Sequence, residues 1–140
     1  MRRKLVLASH GGLATGMLDT LQMILGELPC EAETFSLLPG DSPSRIAEAV
    51  QKECAAQPDT EFLLVTDVFG ASVCTALCGL VAESNVRLFA GMSLPMVLSL
   101  LTETSCPISD EEVEEALSVA REGARAIDVR QLEIQEEEDF

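Results

Sequence analysis

Tryptophan and tyrosine are missing from this chain, and its five phenylalanines leave the aromatic share at 4%. A core must therefore come from Leu, Val, Ile, Ala and Met, which the 47% hydrophobic content supplies. That apolar share excludes disorder along most of the length, and 140 residues suffice for one compact domain with a buried core. No apolar run approaches the roughly 20 residues that span a bilayer. The start "MRRKLVLASHGG" has the positive charge of a signal peptide, but its run "LVLA" falls short of the roughly 7–15 apolar residues such a segment needs. The expectation is a cytoplasmic protein.

Basic residues are scarce, nine against 24 acidic ones, for a net charge of −15. Such a surface repels phosphate backbones and anionic lipid, which argues against nucleic-acid and membrane-surface binding and favours partners with a basic patch. The five cysteines are odd in number and form no CxxC, so free thiols in a reducing compartment are the default. Cys74 and Cys78, four apart, would need His10 and a fourth ligand to hold a metal, and buried small hydrophobes are the commoner role. No metal or cofactor is expected. Several catalytic signatures are missing too. GxxxxGK[ST] and GxSxG do not occur, and "GGLATG" is out of frame for a GxGxxG fingerprint.

What is present alternates. "KLVLAS" reads as a buried strand, and Leu13, Met17, Leu21, Ile24, Leu25 and Leu28 then recur at helical spacing until Pro29. "ETFSLL" reads as a second strand. "PGDSPSRIAEAVQKECAA" carries a helix start, with Asp41 or Ser42 as N-cap and Pro43 in the first helical position. "EFLLVTDVFG" is the strongest strand, apolar enough to be covered on both faces. "ASVCTALCGLVAES" follows as a helix apolar nearly all round, then "NVRLFAGM" as a strand and "SLPMVLSLLTE" as a helix. Ser109 and Glu112 form a capping box at the head of "SDEEVEEALSVAREGARA". "IDVRQLEI" alternates at Ile127 and Val129, slips phase to Leu132 and Ile134, and reads as a last strand with a bulge. The expected fold is α/β: an open, mostly parallel sheet with helices on both faces and a final antiparallel strand. One domain spans 1–134, and 135–140, "QEEEDF", is an acidic tail.

The only histidine, His10, ends the first strand and is followed by Gly11 and Gly12. Asp67 ends the third strand, with Gly70, Ala71 and Ser72 leading into the next helix. In open α/β sheets ligands gather at the carboxyl ends of strands beside the topological switch point. A carboxylate that accepts an imidazole Nδ1–H leaves Nε2 free as a nucleophile and stabilises the positive ring formed on reaction. Backbone donors near Gly11 and at the helix beginning near Ala71 and Ser72 could then meet a phosphoryl group on that nitrogen. The same residues also admit a structural reading, with His10 closing a turn and Asp67 capping the next helix.

"VLASHGGLATGMLDTL", "FLLVTDVFGAS" and "LFAGMSLPMVLSLL" together resemble the signature blocks of the mannose-class IIA component of the bacterial phosphoenolpyruvate:sugar phosphotransferase system. The resemblance implies a phosphotransferase in which His10 accepts a phosphoryl group from the phosphocarrier HPr and passes it to a IIB component, meeting the membrane IIC/IID complex only indirectly. It assigns Asp67 to holding the ring and Ser72 to the phosphoryl group. It also implies a homodimer whose last strand crosses to the partner's sheet. Multidomain members of the family carry IIB behind a linker, and with this sequence stopping at Phe140 the expectation is a IIB partner on a separate polypeptide. Where the family commonly has "GGSP" this chain has "GASV", and Ser93 stands where asparagine is common. Two other readings remain beside it: the phosphotransfer subunit of a phosphoenolpyruvate-dependent dihydroxyacetone kinase, and a regulatory module without transfer activity.

Overall fold

A computed structural model describes residues 1–138. Four strands, β1 (Arg2–His10), β2 (Glu31–Leu37), β3 (Thr60–Thr66) and β4 (Val86–Ala90), form one sheet in the order β2-β1-β3-β4, and every pairing is parallel. The helices between them are α1 (Leu13–Leu25), α2 (Pro43–Ala56) and α3 (Ser72–Leu77), followed by α4 (Leu94–Thr102), α5 (Asp110–Glu122) and α6 (Val129–Glu138). From β1 the chain moves outward to β2, then returns past β1 to β3 and on to β4. The switch point therefore lies between β1 and β3, the two central strands.

Alternation along those strands sorts the core into two layers. Leu5, Leu7, Leu63 and Val65 pack under α1, α4 and α5 with Leu21, Met96, Leu100 and Ala116. Val6, Ala8, Phe62 and Leu64 face the other way, against Ile46, Val50 and Cys54 of α2 and Val73 and Leu77 of α3. All seven residues of β3 are buried, as a central parallel strand requires. One of them is charged: Glu61 accepts the Arg3 guanidinium at 2.7 and 2.9 Å and the Ile108 N–H at 2.7 Å, so every buried partner is matched.

Helix starts follow the sequence signals. Ser42 is the N-cap of α2 with Pro43 first in the helix, while the Asp41 carboxylate accepts the Leu38 N–H in the turn before it. The Ser109–Glu112 capping box closes on both sides. Ser93 takes a capping role at α4, its hydroxyl accepting the Met96 N–H.

Two expectations are corrected. The segment after Gly70 is a short α-helix, α3, that passes into a 3-10 turn (Cys78–Ala82) rather than continuing as one helix. Gly79 sits at that change, and glycine is about 1 kcal/mol worse than alanine inside a helix. The final strand is absent: residues 124–128 carry no regular structure, and α6 begins at Val129. Val129 and Leu132, three apart, would lie on opposite faces of a strand but share one side of a helix, so the phase slip is helical spacing. The sheet is accordingly parallel throughout, without the antiparallel strand. Residues 135–138 of the expected acidic tail continue α6, and the last two lie outside the described residues.

Candidate functional site

Strand register brings the two sequence-separated candidates together. Ala8 of β1 pairs with Thr66 of β3, so His10 at the end of β1 and Asp67 just past the end of β3 come together at the switch point. One carboxylate oxygen of Asp67 accepts both the His10 backbone N–H and ring Nδ1, each at 2.8 Å. The other accepts the Val68 N–H at 2.9 Å. Burial by itself would raise the Asp67 carboxyl, but these hydrogen bonds and the neighbouring imidazole outweigh it and hold the group below the usual carboxylate range. The Asp67 side chain is 7% exposed, whereas that of His10 is 47% exposed. The clamp is thus buried and the ring it holds is open to solution.

With Nδ1 donating to Asp67, Nε2 is the lone-pair nitrogen, and the Ser72 hydroxyl stands 3.1 Å from it. Ser72 opens α3, which carries no side-chain cap, so the first N–H groups of that helix have no helical carbonyl to bond. The Gly11 N–H donates to the Leu37 carbonyl at 2.9 Å and the Ala71 N–H to the Val68 carbonyl at 3.2 Å. Gly11 therefore ties the histidine turn to the end of β2, and Ala71 closes the loop after Asp67.

Two of the glycines are needed for their backbone. Gly11 has φ +54° and Gly70 φ +81°, in the left-handed region that costs other residues roughly 1–2 kcal/mol. Ala71, by contrast, has φ −78°, so a second glycine is not required there. Val73 is buried among Ile46, Val50 and Leu77, a packing role for the position where the resembling family has proline.

Large apolar side chains rim this edge. Leu13, Leu38 and Val68 are exposed, and Phe69, two residues after Asp67, is 84% exposed. The cavity of about 650 Å³ lined by Arg2, Arg3, Cys30 and Cys106 lies at the opposite end of the strands, roughly 25 Å away along β1. Cys74 is a buried residue of α3 and Cys78 is exposed, and no group of three metal-ligating side chains occurs among the described residues. No described helix is long and apolar enough to cross a membrane.

Fold and site together define a class: an open parallel α/β protein whose switch point presents one carboxylate-oriented histidine. Residues 4–117 match the family model described as PTS system fructose IIA component, and the chain belongs to that family, within the mannose class of IIA components. It is 29% identical over 116 residues to the PTS system sorbose-specific EIIA component of Klebsiella pneumoniae, covering 82% of this chain and 84% of that protein. It is 27% identical over 132 residues to the PTS system mannose-specific EIIAB component of Escherichia coli, covering 92% of this chain but 41% of that longer protein. Among solved structures, the mannose/sorbose specific IIA subunit of the phosphotransferase system from Enterococcus faecalis superposes with a TM-score of 0.78 at 25% identity. That match covers 92% of this chain and 97% of the other. IIA components are phosphotransferases in general.

Proposed function

We propose that this chain carries a phosphoryl group on His10 Nε2, taken from phospho-HPr and handed to a IIB component during sugar uptake. The observation that supports this most is the shared Asp67 oxygen, which fixes both the backbone and Nδ1 of His10 and directs the opposite nitrogen toward Ser72 and solution. In the forward step the Nε2 lone pair attacks phosphorus, a P–N bond forms, and the bond from phosphorus to the donor's leaving group breaks. Nδ1–H stays on the ring, and the Asp67 carboxylate balances the positive imidazole as charge develops. The Ser72 hydroxyl and the uncapped start of α3 supply donors for the phosphoryl oxygens, while Gly11 acts indirectly by holding the turn. The second transfer reverses these bond changes toward the acceptor.

Protein donors and acceptors suit the site better than a small metabolite. His10 stands on an open edge, and the exposed rim of Leu13, Leu38, Val68 and Phe69 gives a protein face something apolar to cover. The acidic surface complements a basic partner. The reading includes a cytoplasmic homodimer, supported by the exposed apolar residues of α6. The test is incubation with phosphoenolpyruvate, enzyme I and HPr, followed by intact mass, with His10→Ala as control. One acid-labile phosphoryl group, missing from the variant, is the expected result. An unmodified but well-folded chain refutes the carrier role. Adding candidate IIB proteins or a nucleotide-bound kinase subunit to the phosphorylated chain then identifies the acceptor.

A further inference from the structure

The turn that presents His10 has a second polar side chain on its other side. Alternation along β1 places Leu5, Leu7 and Ser9 toward α1, and Val6, Ala8 and His10 toward α2 and α3. Ser9 is completely buried. Its Oγ accepts the Ala14 N–H at 2.8 Å, and its own hydrogen is directed at the Gly11 carbonyl, a long contact of 3.5 Å. Ala14 is the second residue of α1 and is itself buried, so no helical carbonyl can reach its N–H. Gly12, the N-cap of α1, has no side chain to serve it. One hydroxyl thus joins the end of the strand to the start of the helix across the turn that holds the histidine.

That turn needs such a tie. Gly11 and Gly12 carry no Cβ to restrict their backbones, and rotation there swings the ring relative to Asp67 and Ser72. The strand side is fixed by the His10 N–H to Asp67 and the Gly11 N–H to Leu37, and Ser9 fixes the helix side. We propose that Ser9 is a positioning residue for His10, its hydroxyl locking the strand-to-helix turn so that Nδ1 stays on Asp67 and Nε2 faces the incoming phosphoryl group. This rests on the reading of His10 as the phosphoryl acceptor.

The test compares full-length wild type, Ser9→Ala and Ser9→Thr in two ways. Phosphorylation is timed at several phospho-HPr concentrations, and the imidazole tautomer of His10 is read from nitrogen NMR of the unphosphorylated chain. Ser9→Ala is expected to slow saturating transfer about tenfold, with little change in the half-saturating phospho-HPr concentration, and to populate the second tautomer. Ser9→Thr, which keeps the hydroxyl, restores both. A wild-type rate with a wild-type tautomer in Ser9→Ala overturns the proposal. So does slowing accompanied only by a lower Tm, with the tautomer unaltered. If Ser9→Ala does not fold, Ser9→Cys, similar in shape but a poor acceptor, takes its place in both readings. A wild type that accepts no phosphoryl group defeats the carrier reading instead, and the tautomer comparison still decides the role of Ser9.

Discussion

At the scale of the single residue, Asp67 does the most with the least: one oxygen holds a backbone N–H and a ring nitrogen at once. Replacing it with Asn keeps the shape but removes the charge that favours the positive ring. A charge-assisted hydrogen bond is worth about 1.5–3 kcal/mol, so Asp67→Asn should slow transfer to His10 by roughly ten- to a hundredfold, read as the initial rate of phosphorylation by phospho-HPr. The depressed carboxyl also has a signature in stability. A carboxylate held below its unfolded value favours the fold above the ordinary Asp range near pH 4, and that contribution disappears as pH falls through the lowered folded-state value. Urea unfolding between neutral and acid pH should therefore show a smaller acid loss in Asp67→Asn than in wild type. Of the candidate site residues, His10 and Asp67 were legible from type and position after strands, and the Ser72 side chain was singled out only through the family resemblance. Ser9 was not, because its importance lies in a bond to an amide five residues on, and a serine at a strand end has no distinguishing mark in sequence.

Among elements, burial decides which ion pairs matter. Arg3 on β1 and Glu61 on β3 are 9% and 4% exposed, and Glu61 also serves the Ile108 N–H ahead of α5. Glu61→Ala strands the Ile108 amide and leaves the Arg3 guanidinium with only the neutral oxygens of Leu100, Thr104 and Ser105, and breaking a buried pair in this way costs about 3–5 kcal/mol. Arg87 and Asp110 form a comparable contact at 3.1 Å but are 43% and 91% exposed, so Arg87→Ala should cost less than about 1 kcal/mol. Chemical denaturation of the two variants tests the contrast, and equal losses would contradict it. The start of α5 has its own pH dependence. Hydrogen bonds from the Ser105 hydroxyl and from the Ser109 and Ser105 amides pull Glu112 down to about 2. Its stabilisation is present above the unfolded Glu value, roughly pH 4.3, and is lost as pH falls toward 2. Melting curves across that window should converge for wild type and Glu112→Gln at the acid end and separate above it. Caps of this kind were readable because Ser109 and Glu112 stand three apart, whereas the break after α3 rests on one glycine whose cost other packing could have offset.

For the whole molecule, a net charge of −15 and the exposed apolar side chains at and before the terminal helix pull in opposite directions. Ile127, Val129, Leu132 and Ile134 are all large, apolar and open to solvent, which a lone chain gains nothing by keeping. The proposed homodimer should therefore dissociate more readily in Leu132→Glu, seen by sedimentation as a lower mass at equal concentration, while both proteins keep the same circular dichroism. An unchanged mass would place the dimer contact elsewhere. The sequence by itself determined the alternation of strands and helices, the apolar central strands, the helix starts and the type of chemistry open to a lone histidine. Those features are written in local spacing and composition, which act over a few residues. Only the tertiary structure decided that β1 and β3 are neighbours, which brings Asp67 onto His10, and that residues 129–134 are helix rather than strand. Those outcomes depend on strand order and on which surfaces are left to cover, and contacts between residues 57 apart leave no periodic trace along the chain.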